Sequence, residues 1–593
     1  MAATTNDQII PIEGAHEAVI HEILVEGTVI SPKYQVMSID IRLEVNRLAA
    51  ARIVLRDGEP AIGNFEISET ETFKPGNKIK INLGYDSDRQ PLFEGIIVRH
   101  AIRSPQSGHS TLTIECRHEA VKMTLGRQNK YFTNSLDSDV MEEILKAYGL
   151  AGTLAPTSVM HKEVVQHYAT DWDFLLLRAE LNGQLVFPDG GKISVDEPKT
   201  DTKPVLTLTY GVNLIEVEAE MDACSQWNTV KASSWDYARQ ELFEAESATA
   251  TFTEPGNIAG AALAETVAPE VFELRHVGQV VTEELQAWTD AALLKSRLAK
   301  LRGRVKIRGF SGIVPGVLVN LQGCGARFNG NVYVTAVRHE VHSGTWFSHI
   351  QFGLSPAWFS HKTDIAAPPA NGMMVPMHGL QIGVAVELAD PDGEHRVLVR
   401  LPVLDNEARG VWARVSMLDA GENRGSFFRP EIGDEVVVGF LNDDPRDPVI
   451  LGMLHSSAKS PWHIADDENH IKGFHSRNSM RMVFDDEKTI LTVDTPAGNK
   501  LVFSEDDASI TIEDQHGNLI KMSDAGIALN SVKYIKMEAA ANIEIKAATN
   551  LTAEGGANVD VSAGAAISAK GSASAEFSSS GATALKGSVV QIN

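Results

Sequence analysis

Cysteine is nearly missing: Cys116, Cys224 and Cys324 are the three in 593 residues, they stand far apart, and none belongs to a Cys-x-x-Cys pair. That excludes a disulfide framework and a thiolate metal site and leaves core or surface thiols. Basic residues are in deficit, 53 Lys plus Arg against 78 Asp plus Glu, a formal charge of −25. Nucleic acid is bound mainly through Lys and Arg releasing counterions, so a polyphosphate partner is excluded, and so is docking on an anionic membrane surface. No run of about 18 apolar residues is present to cross a bilayer. The opening MAATTNDQIIPIEGAHEAVI has neither a basic n-region nor an apolar h-region, so the chain is expected to be made in the cytoplasm without a signal peptide and carried out by other means. Proline stops at Pro496.

What is present is mostly short alternating β-rich runs. Residues 15–125 hold KIKINLGY, FEGIIVRHAI and STLTIECRHEA, broken by turns such as Pro75-Gly76, and read as a barrel or sandwich at 1–125. The stretch 126–300 is different in kind. Val140, Met141, Ile144, Leu145 and Tyr148 make a helical stripe with Ser or Asp at its start and Gly149 at its end. TDWDFLLLRAELNG predicts a second helix, with Thr170 and Asp173 as capping box and Gly183 as stop. A third is predicted from Glu283 to Gly303. Strands resume over 301–370 in VYVTAVRHEV and FSHIQFGL. A Pro/Gly-rich linker follows, then a unit at 379–457 of the size and strand count of a five-stranded OB-type barrel: QIGVAVELAD, RVLVRLPVL, VWARVSML, DEVVVGFL and VILGML. Residues 458–480 are a polar linker. From 481 to 593 short strands recur between acidic and Asn/Gly turns.

The last sixty residues repeat in eights. Counted from Ser531, the fifth place holds Ile535, Ile543, Leu551, Val559 and Ile567, and the seventh holds Met537, Ile545, Val561, Phe577 and Leu585. The preceding block adds Ile527 and Leu529. Places six and eight carry charges, and places one and two are nearly always Ala, Gly or Ser. Alanine-rich composition favours helix by propensity, but apolar residues two apart with charges between them have the strand period. Small residues at places one and two suit a tight corner. Each octad therefore reads as one strand and one corner, and a fixed period over many units means stacking of like on like. Self-coiling β-helices usually repeat by six or nine residues. With one strand per eight, three chains closing a triangular prism is the economical solution, the named apolar residues meeting on its axis.

At this point a family resemblance enters. RGSFFRPEIGDEVVVGFLNDDPRDPVILGMLHS, together with VLVRLPV and WARVS upstream, resembles the OB-barrel signature of VgrG-type spike proteins; its positions here are Trp412, Arg424, Gly425, Phe428, Pro430, Gly433, Asp434, Gly439, Pro445, Pro448 and Gly452. HYATDWDFLLLRAELNGQLVF and PGVLVNLQGCGARFNGNVYVTAVRHEV resemble the same family's hub and second barrel, and HSRNSMRMVFDDEKTILTVDTPAGNKLVF the start of its β-helix. The resemblance implies a mainly β homotrimer: a hub of two β-barrels with helical insertions, an OB-fold mount, and a C-terminal intertwined triple-stranded β-helix. It implies a hexameric inner-tube ring at the hub, baseplate proteins, a PAAR-type cap at the tip and effector cargo riding on it. Members serve type VI secretion, extracellular contractile injection systems and contractile phage tails, and which of these applies here is left open.

The function so implied is a tip protein that joins the inner tube to a needle and pierces the target envelope mechanically. An enzyme is not expected, and neither a catalytic residue nor a cofactor is assigned. The 458–480 gap is too short for a lysozyme-like domain, no toxin domain is expected after VVQIN, and Gly-x-Ser-x-Gly, HExxH and P-loop motifs are lacking. A peptidoglycan-hydrolase spike and a trimeric fibre or adhesin are the alternatives. His455, His463, His470 and His475 with Asp466 and Asp467 match no metal-site spacing, so they read as a solvated hinge and no metal is assigned. His339 and His342 read as packing or solvent residues flanking a strand. The barrel unit holds 14 acidic and 7 basic residues, the wrong balance for a phosphate groove.

Overall fold

The computed structural model describes residues 18–85, 88–248 and 252–592; the first seventeen residues, on which the expectation about a signal peptide mostly rests, lie outside them. The chain forms two units, Met1–Gly452 and Met453–Asn593. Among the described residues, no helix is long and apolar enough to cross a membrane.

In the first unit, strict alternation makes the sheet. Ile39, Ile41 and Leu43, then Ala51, Ile53 and Leu55, then Leu112, Ile114 and Cys116 face one core, while the residues between them face outward. Burial pushes the Cys116 thiol up to about 12, so it packs as an inert apolar group. A second core gathers Val305, Ile307, Val319, Val334, Ile350 and Phe352. The two cores are wrapped by one hydrogen-bonded sheet of thirteen strands. The join is Gly330–His342, which pairs antiparallel with Val36–Glu44 from Ala336 opposite Glu44 to His342 opposite Ser38. At thirteen residues that strand is long enough to serve both cores, Val332, Val334 and Val337 in the second and Val341 in the first. His339 and His342 lie within this strand, where the sequence reading put them at its flanks. The second core also begins well before residue 301. Leu206–Thr209 pairs with Leu318–Gln322, and Glu216–Met221 pairs with Leu301–Arg308.

Among the described residues four α-helices lie between: α1 (Asp137–Ala147), α2 (Asp171–Leu181), α3 (Gly260–Val267) and α4 (Thr282–Ala299). Helix α2 starts as predicted, with the Thr170 hydroxyl accepting from the Asp173 amide at 3.1 Å. Helix α1 starts differently: Leu136 is its N-cap, and Asp139 accepts from the Leu136 amide at 3.2 Å. Asp137 is occupied elsewhere. Helix α4 stops four residues short of the predicted Gly303 because Lys300 turns inward, fully buried. Its Nζ donates to the carbonyls of Pro255 (2.9 Å) and Ile258 (2.8 Å) and pairs with Glu254 at 2.6 Å.

Asp137 ties these helices together. Its buried carboxylate accepts from Arg178 Nε (2.5 Å) and Nη2 (3.0 Å) and from Asn182 (2.8 Å), with His161 at 3.2 Å. Glu284 of α4 stands 3.7 Å from Arg178. Burial alone would raise the Asp137 pKa, but the bonds from His161, Arg178 and Asn182 outweigh it and hold the group at about 2. Asp137→Ala would leave a nearly buried Arg178 without its main partner, and is expected to cost about 3 kcal/mol in denaturant unfolding at neutral pH. In the parent chain this carboxylate's contribution is complete above its ordinary pKa and fades as pH falls from about 4 towards 2.

The C-terminal part of this unit is a closed barrel of Gln381–Glu387, Val397–Arg400, Val411–Val415, Pro448–Met453 and Glu435–Phe440, in that order round the ring. The third and fifth strands in sequence run parallel, Arg414 opposite Val449; Gln381–Glu387 with Val397–Arg400 and with Glu435–Phe440, and Val397–Arg400 with Val411–Val415, are antiparallel. All five predicted strands are present. Val397, Val399, Ala413, Val436, Val438 and Ile450 fill the interior.

Candidate functional site: an uncovered apolar face

The second unit opens with seven strands in a simple antiparallel meander from Ile471 to Asn530. Each hairpin has its own turn chemistry. Thr495-Pro-Ala-Gly-Asn499 closes on Gly498 at φ 100°, with the Gly498 amide bonded to the Thr495 carbonyl. In the 514–518 turn, Asp514 accepts from the amides of His516 and Asn518, both at 2.9 Å. The register puts Phe474, Met482, Val493, Leu501, Ile512, Ile520 and Leu529 directly opposite one another. Phe484, Leu491, Phe503, Ile510, Met522 and Ile527 form a second line on the same face. The other face includes Thr492, Thr511 and Lys521. There, at the strand ends, Arg481 Nε is 2.9 Å from Asp494, and this bond holds the Asp494 carboxyl below its usual range.

Within this unit no described residue covers the apolar face. Among the described residues from 453 onward no apolar side chain is buried; Asp494, Ser504 and Ser509 are the buried side chains. The face lines an open groove of about 1060 Å³ bounded by Val493, Leu501, Ile512, Ile520, Leu529 and Val532. Past Asn530 no strand pairs with another among the described residues, yet the path is regular. The backbone bends at 532–533, 540–541, 548–549, 556–557, 564–565, 572–573, 580–581 and 588, once in every eight residues. The corners fall on places two and three of the octad, one place later than the small residues alone suggested. At Gly555 and Gly571 the place-one residue packs against the carbonyl of place four, where an added Cβ would meet it at 2.4 and 2.2 Å. The residues read as axial all stand exposed in the single chain: Ile527 (73%), Ile535, Met537, Ile543 (53%), Ile545, Leu551, Val559, Val561, Ile567, Phe577 (75%) and Leu585. The structure aligns them by period and joins no two octads through strand pairing.

Several of the barrel signature residues lie in turns or contacts of the barrel. Gly433, at φ 87°, and Asp434 make the turn that clips onto the first strand, the Gly433 amide to the Ala385 carbonyl (2.7 Å) and the Ala385 amide to the Asp434 carbonyl (3.0 Å). Gly425 (φ 127°) closes a small hairpin with Arg424, whose guanidinium meets Asp419 at 2.5 Å. A Cβ there would sit 2.4 Å from the Asp419 carbonyl. Pro445 lies in the tight 441–447 turn and Pro448 begins the last strand. Trp412 lies under the Arg396 guanidinium at 5.9 Å. Gly439 packs against Leu451, while Phe428 is exposed and Gly452 has open space beside it. Pro430 leads into the 431–434 turn.

The Alg8 N-terminal domain family model matches residues 15–343, more than half of the chain. A second model, the type VI secretion system/phage-baseplate injector OB domain, matches 381–455, the closed barrel. Among curated proteins, the type VI secretion system spike protein VgrG3 of Vibrio cholerae serotype O1 is 33% identical over 137 residues, 22% of this chain and 13% of that one. The actin cross-linking toxin VgrG1 of the same species is 31% identical over 131 residues, 21% and 12% of the respective chains. The chain belongs to the Alg8 N-terminal domain family and is similar to VgrG-type spike proteins. Its matches span about an eighth of the length of those two curated relatives. An E. coli type VI secretion component described as similar to the T4 tail proteins gp27 and gp5 aligns over 73% of this chain and all of its own, at 14% identity and a TM-score of 0.36.

Two of the hinge histidines, His463 and His475, both lie against Trp462. His475 stacks on Trp462 at 5.8 Å, His470 lies 3.7 Å from Glu468, and His455 is 3.4 Å from the Lys459 carbonyl. Among the described residues no group of three or more His, Cys, Asp or Glu is placed to hold a metal ion. The three cysteines are free thiols. Sequence reasoning read short alternating strands from 481 onward and named Ile527 and Leu529 of the last one, but it did not gather the apolar residues of the earlier strands onto one face. The alternation in MRMVF, ILTV, KLVF and SITIE was the signal that could have found them.

Proposed function

We propose that three copies of this chain form the tip spike of a contractile injection machine. Residues 481–593 braid into a triple-stranded β-helix with the fifth- and seventh-place side chains on its axis. The barrel, read as an OB fold, is its rigid mount, and the N-terminal unit, read as two barrels per chain, forms a collar on a hexameric inner-tube ring amid baseplate proteins. A PAAR-type cap closes the tip and effector cargo rides on it. The spike is made in the cytoplasm, assembled into the particle, and driven into the target envelope on firing. Its work is mechanical and not catalytic: sheath contraction supplies the force and a narrow rod concentrates it.

One observation carries this reading. An apolar stripe of period eight runs along a chain that bends at the same period, in a unit with no buried apolar side chain among its described residues. Covering such a side chain is worth about 2 kcal/mol. A meander and rod that keep register but have no core gain that energy only from other chains. Native mass measurement of the purified protein is expected to give about three times 64.3 kDa. A monomer whose residues 481–593 were nonetheless protected from hydrogen exchange would refute the proposal. The spike should also leave peptidoglycan intact in a zymogram.

A further inference from the structure

The charges between the apolar places have an order of their own. In Lys533–Lys586 the charged residues fall at places six and eight of the octads, apart from Lys533 itself. Moving eight residues along the chain, Lys536 meets Glu544, Glu538 meets Lys546, and Lys546 meets Glu554; every other charged residue meets an uncharged one, and no like pair occurs. At sixteen residues the pattern reverses: Glu538 meets Glu554, Glu544 meets Asp560, Asp560 meets Glu576 and Lys570 meets Lys586, against the one attractive pair Glu554 and Lys570. At twenty-four, Lys536 with Asp560 is offset by Lys546 with Lys570. Within one chain, Lys536 already pairs with Glu538 at 2.5 Å, and Lys546 with Glu544.

Threefold symmetry gives this order a meaning. If each chain turns a corner every eight residues and climbs one strand spacing, about 4.8 Å, equivalent octads of the three chains share a level on three different walls. The strand above any octad is then the next octad of a neighbouring chain. An offset of eight is thus the contact between chains, and sixteen is the contact that a slip of one further octad would create. A single coiled chain with two or three octads per turn would stack on sixteen or twenty-four, where the charges do not favour it.

Resting on the trimeric reading above, we infer that the charges at places six and eight set the stagger between chains at one octad. They do so through interchain ladders of Lys536 to Glu544 and of Glu538 to Lys546 to Glu554, and the partner is a second copy of this same chain. The apolar axis supplies the stability, and a one-octad slip keeps apolar on apolar, so it does not choose between registers. The exposed charges do.

The test uses the full-length protein and hydrogen–deuterium exchange of peptides covering 531–593, with native mass alongside. Lys546→Glu places three glutamates in one column. At low salt its peptides around 536–561 are expected to exchange about tenfold faster than the parent's. The difference should shrink near 1 M salt, where the Debye length is about 3 Å. Reversing all five charges together (K536E, E538K, E544K, K546E, E554K) restores every pair with opposite polarity and should restore parental exchange. That recovery is also the expected result if Lys546→Glu alone fails to assemble. A trimeric Lys546→Glu that exchanges like the parent at low salt overturns the ladder while leaving the trimer standing, and so does a five-fold reversal as labile as the single change. A monomeric parent overturns the trimer itself.

Discussion

Ile543→Asp is expected to abolish the trimer, or to leave a needle frayed from the second octad onward. Ile543 occupies a fifth place, half-exposed in the single chain and, under the proposed braid, facing the axis at one level with its two symmetry mates. The change would put three carboxylates around one line from which water is excluded. Each would lose its hydration without gaining a partner, a penalty of several kcal/mol per ion. Taking up protons would relieve the repulsion, but three buried acids would remain without hydrogen-bond partners, at about 1–3 kcal/mol each. The missing burial of an isoleucine side chain in each chain adds about 2 kcal/mol. Together these exceed the stability of an ordinary domain.

Two companions separate the axis from the wall. Ile543→Val should cost only about 1 kcal/mol per chain and keep the trimer. Ser578→Asp sits at an eighth place, with Lys570 eight residues before it and Lys586 eight after, and should be tolerated or slightly stabilising. Native mass and protease resistance read all three. A homogeneous Ile543→Asp trimer melting with the parent would remove the axial assignment.

The sequence was most legible where the physics is local or repeats. The octad survives reading because each unit poses the same problem, and a Gly, Ala or Ser at place one, with an apolar residue at five from Ile535 to Ile567, signals it again every eight residues. The corner was misplaced by one position because residue size alone does not locate it. The bend falls on places two and three whether place one is Gly555, Ala539 or Ser579, so it follows the repeat of the backbone and not the size of one side chain. The start of α2 was legible because Thr170 and Asp173 cap it within four residues of chain. What escaped is non-local. Leu206–Thr209 gives no sign that its partner is Leu318–Gln322, more than a hundred residues on and parallel. Glu216–Met221 alternates acidic and apolar residues and finds its place by facing Lys306, Arg304 and Arg302 across the pair. The end of α4 was invisible because Lys300 continues a helical pattern in sequence, while the carbonyls that draw it inward lie at 255 and 258. At the uncovered face, alternation was visible but the face was not recognised as a site, since half-exposed strands are ordinary in antiparallel sheets.

The second large effect concerns acid. His339 is fully buried at the join between the two cores, on the strand that pairs with both Val36–Glu44 and Thr345–Phe352. Its Nδ1 lies 3.0 Å from the Ser348 hydroxyl, Trp346 packs 5.7 Å away, and Nε2 has no partner. Burial, with a smaller contribution from the nearby His349, holds its pKa down at about 3 against an ordinary 6.5. An unfolded chain takes up this proton below pH 6.5, and the folded one does not until about 3. The stability that the neutral imidazole contributes is therefore complete above pH 6.5 and is lost as pH falls through that window, at ~1.4 kcal/mol per pH unit, about 5 kcal/mol in all. Asp137 adds to the same slope only below about 4, so the two separate by pH. Denaturant midpoints of the parent should fall steeply between pH 6.5 and 4.5, whereas His339→Leu, which cannot take up the proton, should be flatter there whatever its stability at pH 7. Equal slopes for the two over that range would mean that the proton is not what the buried ring excludes. A flattened slope would place the acid-sensitive point of the N-terminal unit at the strand that joins its two cores, because protonating that ring puts a charge between Ser348 and Trp346, neither of which is an anion that could receive it.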